Sequence, residues 1–169
     1  GIGGWNNQDV ALVNASGNGE IHNLTESGYT DTNAKWVLDG KAMMWYSDRA
    51  GYRSHGSWGA EADVYIMFFD LDAYERFRMN KEELALIDES KKKEDDKEKK
   101  DEKTGKKKDD KKDTKKDEKK EEVKPLVFDL ENCRDRIVRL TVNSSHLGDA
   151  VLTPKGDKLY YQAAFEGGY

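Results

Sequence analysis

The sequence predicts an all-β fold built from antiparallel strands. Short strand-like runs recur along the chain, and none of them has the periodicity of an amphipathic helix. Turn residues such as Ser16-Gly17-Asn18-Gly19, Asp39-Gly40 and Lys155-Gly156 separate the runs, which favours hairpins over strand–helix–strand units. The predicted strands are Asp9–Asn14, Glu20–Leu24, Ala34–Leu38, Ala42–Ser47, Asp63–Phe69, Leu126–Leu130, Arg136–Val142, Asp149–Leu152 and Lys158–Ala163.

One segment differs from the rest in composition and carries most of the charge. Between Asp88 and Lys124 the chain holds 15 Asp or Glu and 17 Lys side chains, with almost nothing apolar among them. Because it has no apolar stripe to bury, residues 89–122 are predicted to form a disordered, solvated insertion. Its acids and bases nearly cancel, so it supplies little field for attracting phosphates, and no nucleic-acid partner is expected.

A short helix is predicted at residues 71–88, before this insertion. Asn80 followed by Glu83 matches a capping box, and Leu84 and Ile87 lie one helical turn apart. The predicted organisation is therefore four segments. They are residues 1–70 with the first strands, the helix at 71–88, the insertion at 89–122, and residues 123–169 with the remaining strands.

Two segments repeat one strand–turn–strand pattern: residues 34–47 and residues 150–162. In this pattern Leu38 and Pro154 take the first turn position, where a φ of about −65° suits proline, and Gly40 and Gly156 take a left-handed position. Aromatic residues in the strands are expected to be buried in the core. They are Trp36, Trp45, Tyr46, Tyr65, Phe68, Tyr160 and Tyr161.

The first hairpin and the segments after it resemble a known family. Trp36-Val37-Leu38-Asp39-Gly40-Lys41 resembles the W-S-P-D-G-K hairpin of TolB and tricorn-type propeller repeats, with Leu38 in place of proline. Ser47-Asp48-Arg49-Ala50-Gly51 and Asp63-Val64-Tyr65-Ile66-Met67 resemble the S-D-R-x-G turn and the D-I-Y-x-M strand of the same repeats. Arg136–Thr141 resembles a strand in the N-terminal propellers of tricorn-like serine peptidases.

The resemblance implies a partial β-propeller of about one full blade plus two half blades, with the insertion between the third and fourth strands of the full blade. The second hairpin departs from the family pattern at Leu152 and Lys155, which replace tryptophan and aspartate. The implied function is non-catalytic: the segment helps to admit or guide peptides to a serine active site elsewhere in the parent chain. The alternative is a TolB-like propeller scaffold for protein–protein binding in the cell envelope.

The implied partners are peptide substrates and other domains of the parent chain, and homo-oligomerisation of the parent stays open. The implied location is the bacterial or archaeal cytoplasm or periplasm, and the sequence does not choose between them. The chain has no run of about 18 apolar residues, so no membrane insertion is expected. It also lacks the basic start and apolar stretch of a signal peptide.

The connection Gly51–Glu61 holds the candidate peptide contacts Tyr52, Arg53, His55 and Trp58. Aromatic residues and arginine are enriched in recognition hot spots, which favours a contact role for these side chains. The alternative interpretation is that Tyr52 and Trp58 pack on a neighbouring sheet while Arg53 pairs locally.

No catalytic, metal-binding or cofactor-binding residue is expected in the chain. His22, His55 and His146 are isolated, and none of them has a second His or Cys within four residues. The sequence contains no G-x-S-x-G nucleophile elbow and no glycine-rich phosphate loop. The single cysteine, Cys133, is expected to be a packed hydrophobe, because it has no partner for an internal disulfide.

Overall fold

In the computed structural model, the described residues are 7–53, 59–90, 126 and 128–164. They form antiparallel sheets and two short helical segments, which confirms the all-β class. The strands are β1 Ala11–Leu12, β2 His22–Asn23, β3 Asp31–Val37, β4 Ala42–Ser47, β5 Asp63–Phe68, β6 Ile137–Arg139, β7 His146–Leu152 and β8 Leu159–Ala164. The chain divides into two compact units, Gly1–Tyr74 with Leu126–Tyr169, and Glu75–Pro125, and all the strands belong to the first.

Within the described residues the strands form three sheets, each of which pairs strands that follow one another along the chain. β1 pairs with β2, β3 to β6 form a four-stranded sheet in chain order, and β7 pairs with β8. Every pairing is antiparallel. The long connection that contains the charged insertion therefore leaves the central sheet after its third strand and returns to its fourth.

Both faces of the central sheet are covered, and every residue of β4 and β5 is buried. On one face Trp45 and Tyr65 pack with Val10 and Leu24 from the β1–β2 region. On the other face lies a second cluster, formed by Met44, Tyr46, Val64 and Ala150 together with partly buried residues of β7 and β8. Neighbouring residues along β4 therefore point into different clusters, as expected for a strand that is buried on both sides.

The prediction that all seven strand aromatics are buried is wrong for three of them. Trp45, Tyr46, Tyr65 and Phe68 are buried, but Trp36 is 49% exposed, Tyr160 62% and Tyr161 41%. The physical reason is position in the sheet. Trp36 lies on β3 and the two tyrosines lie on β8, and each of these strands has only one neighbour in its sheet. Trp36 still contacts Phe69 and Phe128, with ring centroids 5.5 and 5.8 Å apart.

The predicted strand Leu126–Leu130 is also wrong, because the described residues among these positions form no strand. The Asp129 side chain instead organises a turn. It accepts hydrogen bonds from the backbone N–H of Asn132 at 3.2 Å and from the guanidinium of Arg136 at 2.7 Å. A short 3-10 helix, Cys133–Arg136, follows directly. Aspartate side chains commonly compete with strand hydrogen bonding in this way.

The single helix predicted at residues 71–88 is two helical segments. The first is Leu71–Arg78, and the second occupies residues 81–90 of the described part. Asn80 divides them because it caps the second segment: its Oδ1 accepts from the N–H groups of Glu82 and Glu83, each at 2.9 Å. Glu83 Oε2 accepts from the Asn80 N–H at 2.9 Å, which completes the predicted capping box. Of the insertion predicted at 89–122, residues 91–122 lie outside the described residues.

The two repeated hairpins agree at their glycines and differ at the first turn position. Gly40 and Gly156 have φ values of 84° and 73°, as predicted for left-handed positions. Leu38, however, has φ of 53°, so the proline-like conformation expected there is wrong. Asp39 is also left-handed, with φ of 55°. A proline ring fixes φ at about −65° and cannot adopt a positive φ. This turn therefore requires a residue other than proline at position 38.

Candidate functional site

A row of buried polar residues crosses three strands at one end of the central sheet. Asp31 on β3 is the register partner of Ser47 on β4, and Ser47 is the partner of Asp63 on β5. All three are at most 3% exposed. Charged side chains are rarely buried unless they are paired, so each aspartate requires compensating donors.

The first aspartate, Asp31, is hydrogen-bonded at both carboxylate oxygens. The Ser27 hydroxyl donates to Oδ2 at 2.6 Å, and the Trp45 indole N–H donates to Oδ1 at 3.2 Å. Arg49 donates to both oxygens at 3.2 Å, and its Nε also donates to the Ser47 hydroxyl at 2.9 Å. The Arg49 guanidinium in addition lies 4.8 Å from the ring centroid of Tyr65.

The second aspartate, Asp63, has a matching set of donors on the opposite side of the row. Arg139 donates to Oδ1 at 2.8 Å and Thr141 donates to the same oxygen at 2.6 Å, while the Ser144 hydroxyl donates to Oδ2 at 2.7 Å. The pKa of the neighbouring Tyr65 is raised, first by its burial and then by the negative charge of Asp63. Tyr65 is therefore a neutral phenol at physiological pH.

The connection from β4 to β5 starts at this row, and contacts near its two ends hold those ends together. Asp48 accepts from the Thr30 N–H at 2.9 Å and pairs with Arg53, whose Nε lies 3.0 Å from Oδ2. The Arg53 guanidinium is 5.5 Å from the ring centroid of Tyr29. The Glu61 N–H donates to the carbonyl of Tyr52 at 2.8 Å. These contacts fix the two ends of the connection against each other.

Glycine is required at position 51 because the backbone of Glu61 lies very close, and not because of its own backbone angles. A Cβ added at Gly51 would lie 2.0 Å from the carbonyl oxygen of Glu61. The glycine of the S-D-R-x-G resemblance therefore has a steric reason, because the opposite strand end approaches its backbone closely.

Two of the four predicted peptide contacts lie among the described residues. Tyr52 is 70% exposed. Arg53 pairs locally with Asp48 and lies over Tyr29. His55 and Trp58 lie outside the described residues. A peptide contact by these four residues therefore stays a prediction.

The sequence interpretation missed the ion pairs Asp31–Arg49 and Asp63–Arg139, in which the aspartate is buried and the arginine is partly exposed. A signal was present, because an aspartate immediately before a run of apolar strand residues, as at Asp63, is unfavourable unless a cation is nearby. With their oxygens already hydrogen-bonded, Asp31 and Asp63 are suited to fixing the sheet end and the connection above it rather than to proton transfer.

Among the described residues, no group of three or more His, Cys, Asp or Glu side chains is placed to hold a metal ion. No helix within the described ranges is long and apolar enough to cross a membrane. No protein-family model, curated protein or solved structure matches the chain.

Proposed function

We propose that the chain is a non-catalytic β-propeller segment of a tricorn-like serine peptidase. In this proposal it helps to admit or guide peptide substrates to an active site elsewhere in the parent chain. The observation that carries the proposal is the sheet order of two, four and two strands along the chain. This is the order expected for half a blade, one full blade and another half blade of a propeller.

The packing of the sheets supports the same proposal. The β1–β2 region covers one face of the central sheet, and the β7–β8 sheet covers the other. In a propeller, each blade packs face to face with the blades before and after it in the chain. The long connection between β5 and β6 also has the position that the resemblance implies for the insertion, between the third and fourth strands of the full blade.

The residues that resemble the S-D-R-x-G turn make contacts that would position a recognition surface. Arg49 holds the start of the connection on Asp31, and Asp48 holds Arg53. These contacts present Tyr52 to solvent beside Arg53. A fixed arginine next to an exposed tyrosine suits contact with a peptide backbone or side chain, because both present large, rigid contact surfaces.

A second candidate is a TolB-like propeller scaffold that binds other proteins. The motifs in Trp36–Lys41 and Ser47–Gly51 favour it equally, since both families share them, and the exposed Tyr52 suits a protein partner as well as a peptide. The two candidates differ in whether the parent protein hydrolyses peptides.

The test compares this 169-residue chain with its full-length parent, using peptide hydrolysis and labelling by a fluorophosphonate that reacts with activated serines. Turnover and labelling in the parent alone are the expected result. If both proteins are inactive, the scaffold is favoured. If the 169-residue chain is labelled and active by itself, the non-catalytic assignment is wrong.

A further inference from the structure

We propose that Asn18 is a site of spontaneous backbone modification, at which succinimide formation with Gly19 converts the asparagine to aspartate and isoaspartate. The inference concerns the turn between β1 and β2 and does not depend on the proposed function. Asn18–Gly19 is the one Asn-Gly pair in the sequence. Glycine after asparagine favours this chemistry, because no Cβ shields the backbone nitrogen that must attack the side chain.

The reaction requires no partner other than water. The backbone nitrogen of Gly19 attacks Cγ of Asn18 and forms a C–N bond, while the bond from Cγ to the side-chain amide nitrogen breaks. Ammonia leaves with the proton lost from Gly19. Water then adds to either carbonyl of the five-membered ring. The bond from that carbonyl carbon to the ring nitrogen breaks and the nitrogen takes up a proton, which gives isoaspartate when the main-chain carbonyl of Asn18 is attacked and aspartate when Cγ is attacked. No oxidant or reductant takes part.

The structure leaves both reacting groups accessible. All residues from Asn14 to Glu20 are exposed. Among the described residues, the Gly19 N–H makes no hydrogen bond and neither does the side chain of Asn18; only the backbone N–H of Asn18 contacts Ser16, at 3.4 Å. A nitrogen that donates no hydrogen bond loses none when it attacks, so the fold adds little to the barrier.

There is also space for the side chain to rotate and for the ring to close. A Cβ placed at Gly17 would meet nothing within 4 Å, and one placed at Gly19 would meet only Cβ of Asn14, at 4.0 Å. The turn has glycine on both sides of Asn18, which widens the range of backbone angles that it can sample.

The other asparagines either have a hydrogen-bonded side chain or lack a following glycine. The side chain of Asn80 accepts two backbone hydrogen bonds as a helix cap, and the side-chain amides of Asn23 and Asn132 donate to Asp9 and Asp129. Asn143 is exposed, but the residue after it, Ser144, carries a side chain that is held by Asp63. Asn143 is therefore the internal reference for exposure without a following glycine.

The consequence for the protein is local. Isoaspartate lengthens the backbone of the turn by one atom, and either product adds a negative charge. Because residues 14–20 contribute no side chain to the core, we expect the modified protein to keep the fold and the unfolding midpoint of the unmodified one.

The experiment incubates the folded chain in mildly alkaline buffer, digests samples over time, and follows the peptides that contain Asn18 and Asn143 by mass spectrometry. Isoaspartate is detected independently by enzymatic methylation with S-adenosylmethionine. The chain unfolded in urea is incubated in parallel, and Asn18→Gln is the control variant because glutamine cannot form the five-membered ring.

The expected result is progressive loss of the intact Asn18 peptide in the folded chain, while the Asn143 peptide stays intact and Asn18→Gln gives no methylation above its starting level. Three results would overturn the inference. They are an intact Asn18 peptide in the folded chain over the period in which the unfolded chain converts, no conversion in either state, and faster conversion at Asn143.

Discussion

The indole N–H of Trp45, in the middle of β4, donates a hydrogen bond to Oδ1 of Asp31, the first residue of the adjacent strand β3. The nitrogen–oxygen distance is 3.2 Å. The pair lies diagonally across the β3–β4 register, because Asp31 is directly opposite Ser47. Arg49 lies over the same indole and pairs with the same carboxylate. The packing of Trp45, the largest fully buried side chain among the described residues, thus depends on an ion pair at the sheet end. The first prediction concerns that pair.

We expect Asp31→Ala to lower the free energy of unfolding by about 3 kcal/mol, because it leaves the Arg49 charge and the Trp45 N–H without their acceptor. The measurement is urea unfolding followed by tryptophan fluorescence. Asp149→Ala is the matched control, since Asp149 also pairs with a cation, Lys35, but its side chain is 64% exposed. Exposed pairs contribute about 0–1 kcal/mol, so an equal loss in both variants would contradict the structural role of Asp31.

The two strand tryptophans are expected to differ in their effect on stability. Trp45 is 1% exposed, so Trp45→Ala should cost about 3–5 kcal/mol, as for other large-to-small core changes. Trp36 is 49% exposed and contacts Phe69 and Phe128 at its ring, so Trp36→Ala should cost about 1–2 kcal/mol. The unfolding midpoints of the two variants, each compared with the wild type, test whether Trp45→Ala costs more stability than Trp36→Ala. Equal losses would mean that β3 is covered as completely as β4.

The stability of the β1–β2 region should depend on pH through Asp9. Partial burial opposes ionisation of Asp9, but hydrogen bonds from Asn23, Ser27 and Thr25 outweigh it and hold its pKa below the ordinary value of 3.8. A lowered pKa contributes stability above pH 3.8, and this contribution disappears as the pH falls through the folded pKa.

Asp9→Asn should therefore be less stable than the wild type at neutral pH, and the difference should shrink as the pH falls below about 4. Unfolding midpoints measured across this pH range test the sign. Glu20→Gln removes one exposed negative charge from the same hairpin and is the control for net charge. A difference between wild type and Asp9→Asn that stays constant with pH would contradict the role assigned to the carboxylate.

The sequence was sufficient for the features that depend on local chemistry. The strands β4 and β5, the capping box of Asn80 and Glu83, and the left-handed glycines at Gly40 and Gly156 all follow from short-range preferences, and all were predicted. The start of β3 was missed because Asp31, Thr32 and Asn33 are polar. Asp31 becomes acceptable in a strand only when Trp45 and Arg49 reach it.

Exposure was harder to predict, because it depends on which strands lie at sheet edges. Trp36 and Tyr160 have the same residue character as Trp45 and Tyr65, yet they are exposed. The difference is set by sheet order, which hairpin patterns alone do not give. The ion pair between the buried Asp63 and Arg139 was missed for a related reason, because it joins residues 76 positions apart.

Within the proposed function, Tyr52 should affect peptide handling without affecting stability. Because Tyr52 is 70% exposed, Tyr52→Ala should change the unfolding free energy by less than about 0.5 kcal/mol. In the full-length parent we expect a higher KM for peptide hydrolysis with kcat unchanged, since a contact that binds the peptide without touching the reacting bond contributes uniform binding. Tyr29→Ala is the comparison variant. It also removes a tyrosine from this region, but one whose ring lies against the Arg53 guanidinium. An unchanged KM would remove Tyr52 from the proposed peptide surface.

The turn at Leu38 offers a direct choice between the family pattern and the structure. The W-S-P-D-G-K pattern has proline at this position, whereas Leu38 has φ of 53° here. Leu38→Pro should therefore destabilise the chain by more than about 1 kcal/mol, because the pyrrolidine ring excludes a positive φ. Leu38→Gly is the control: glycine tolerates this angle, so its unfolding free energy should stay within about 1 kcal/mol of the wild type. If Leu38→Pro instead stabilises the chain while Leu38→Gly weakens it, then the turn has the proline-compatible conformation of the family, and the left-handed run at Leu38 and Asp39 is wrong.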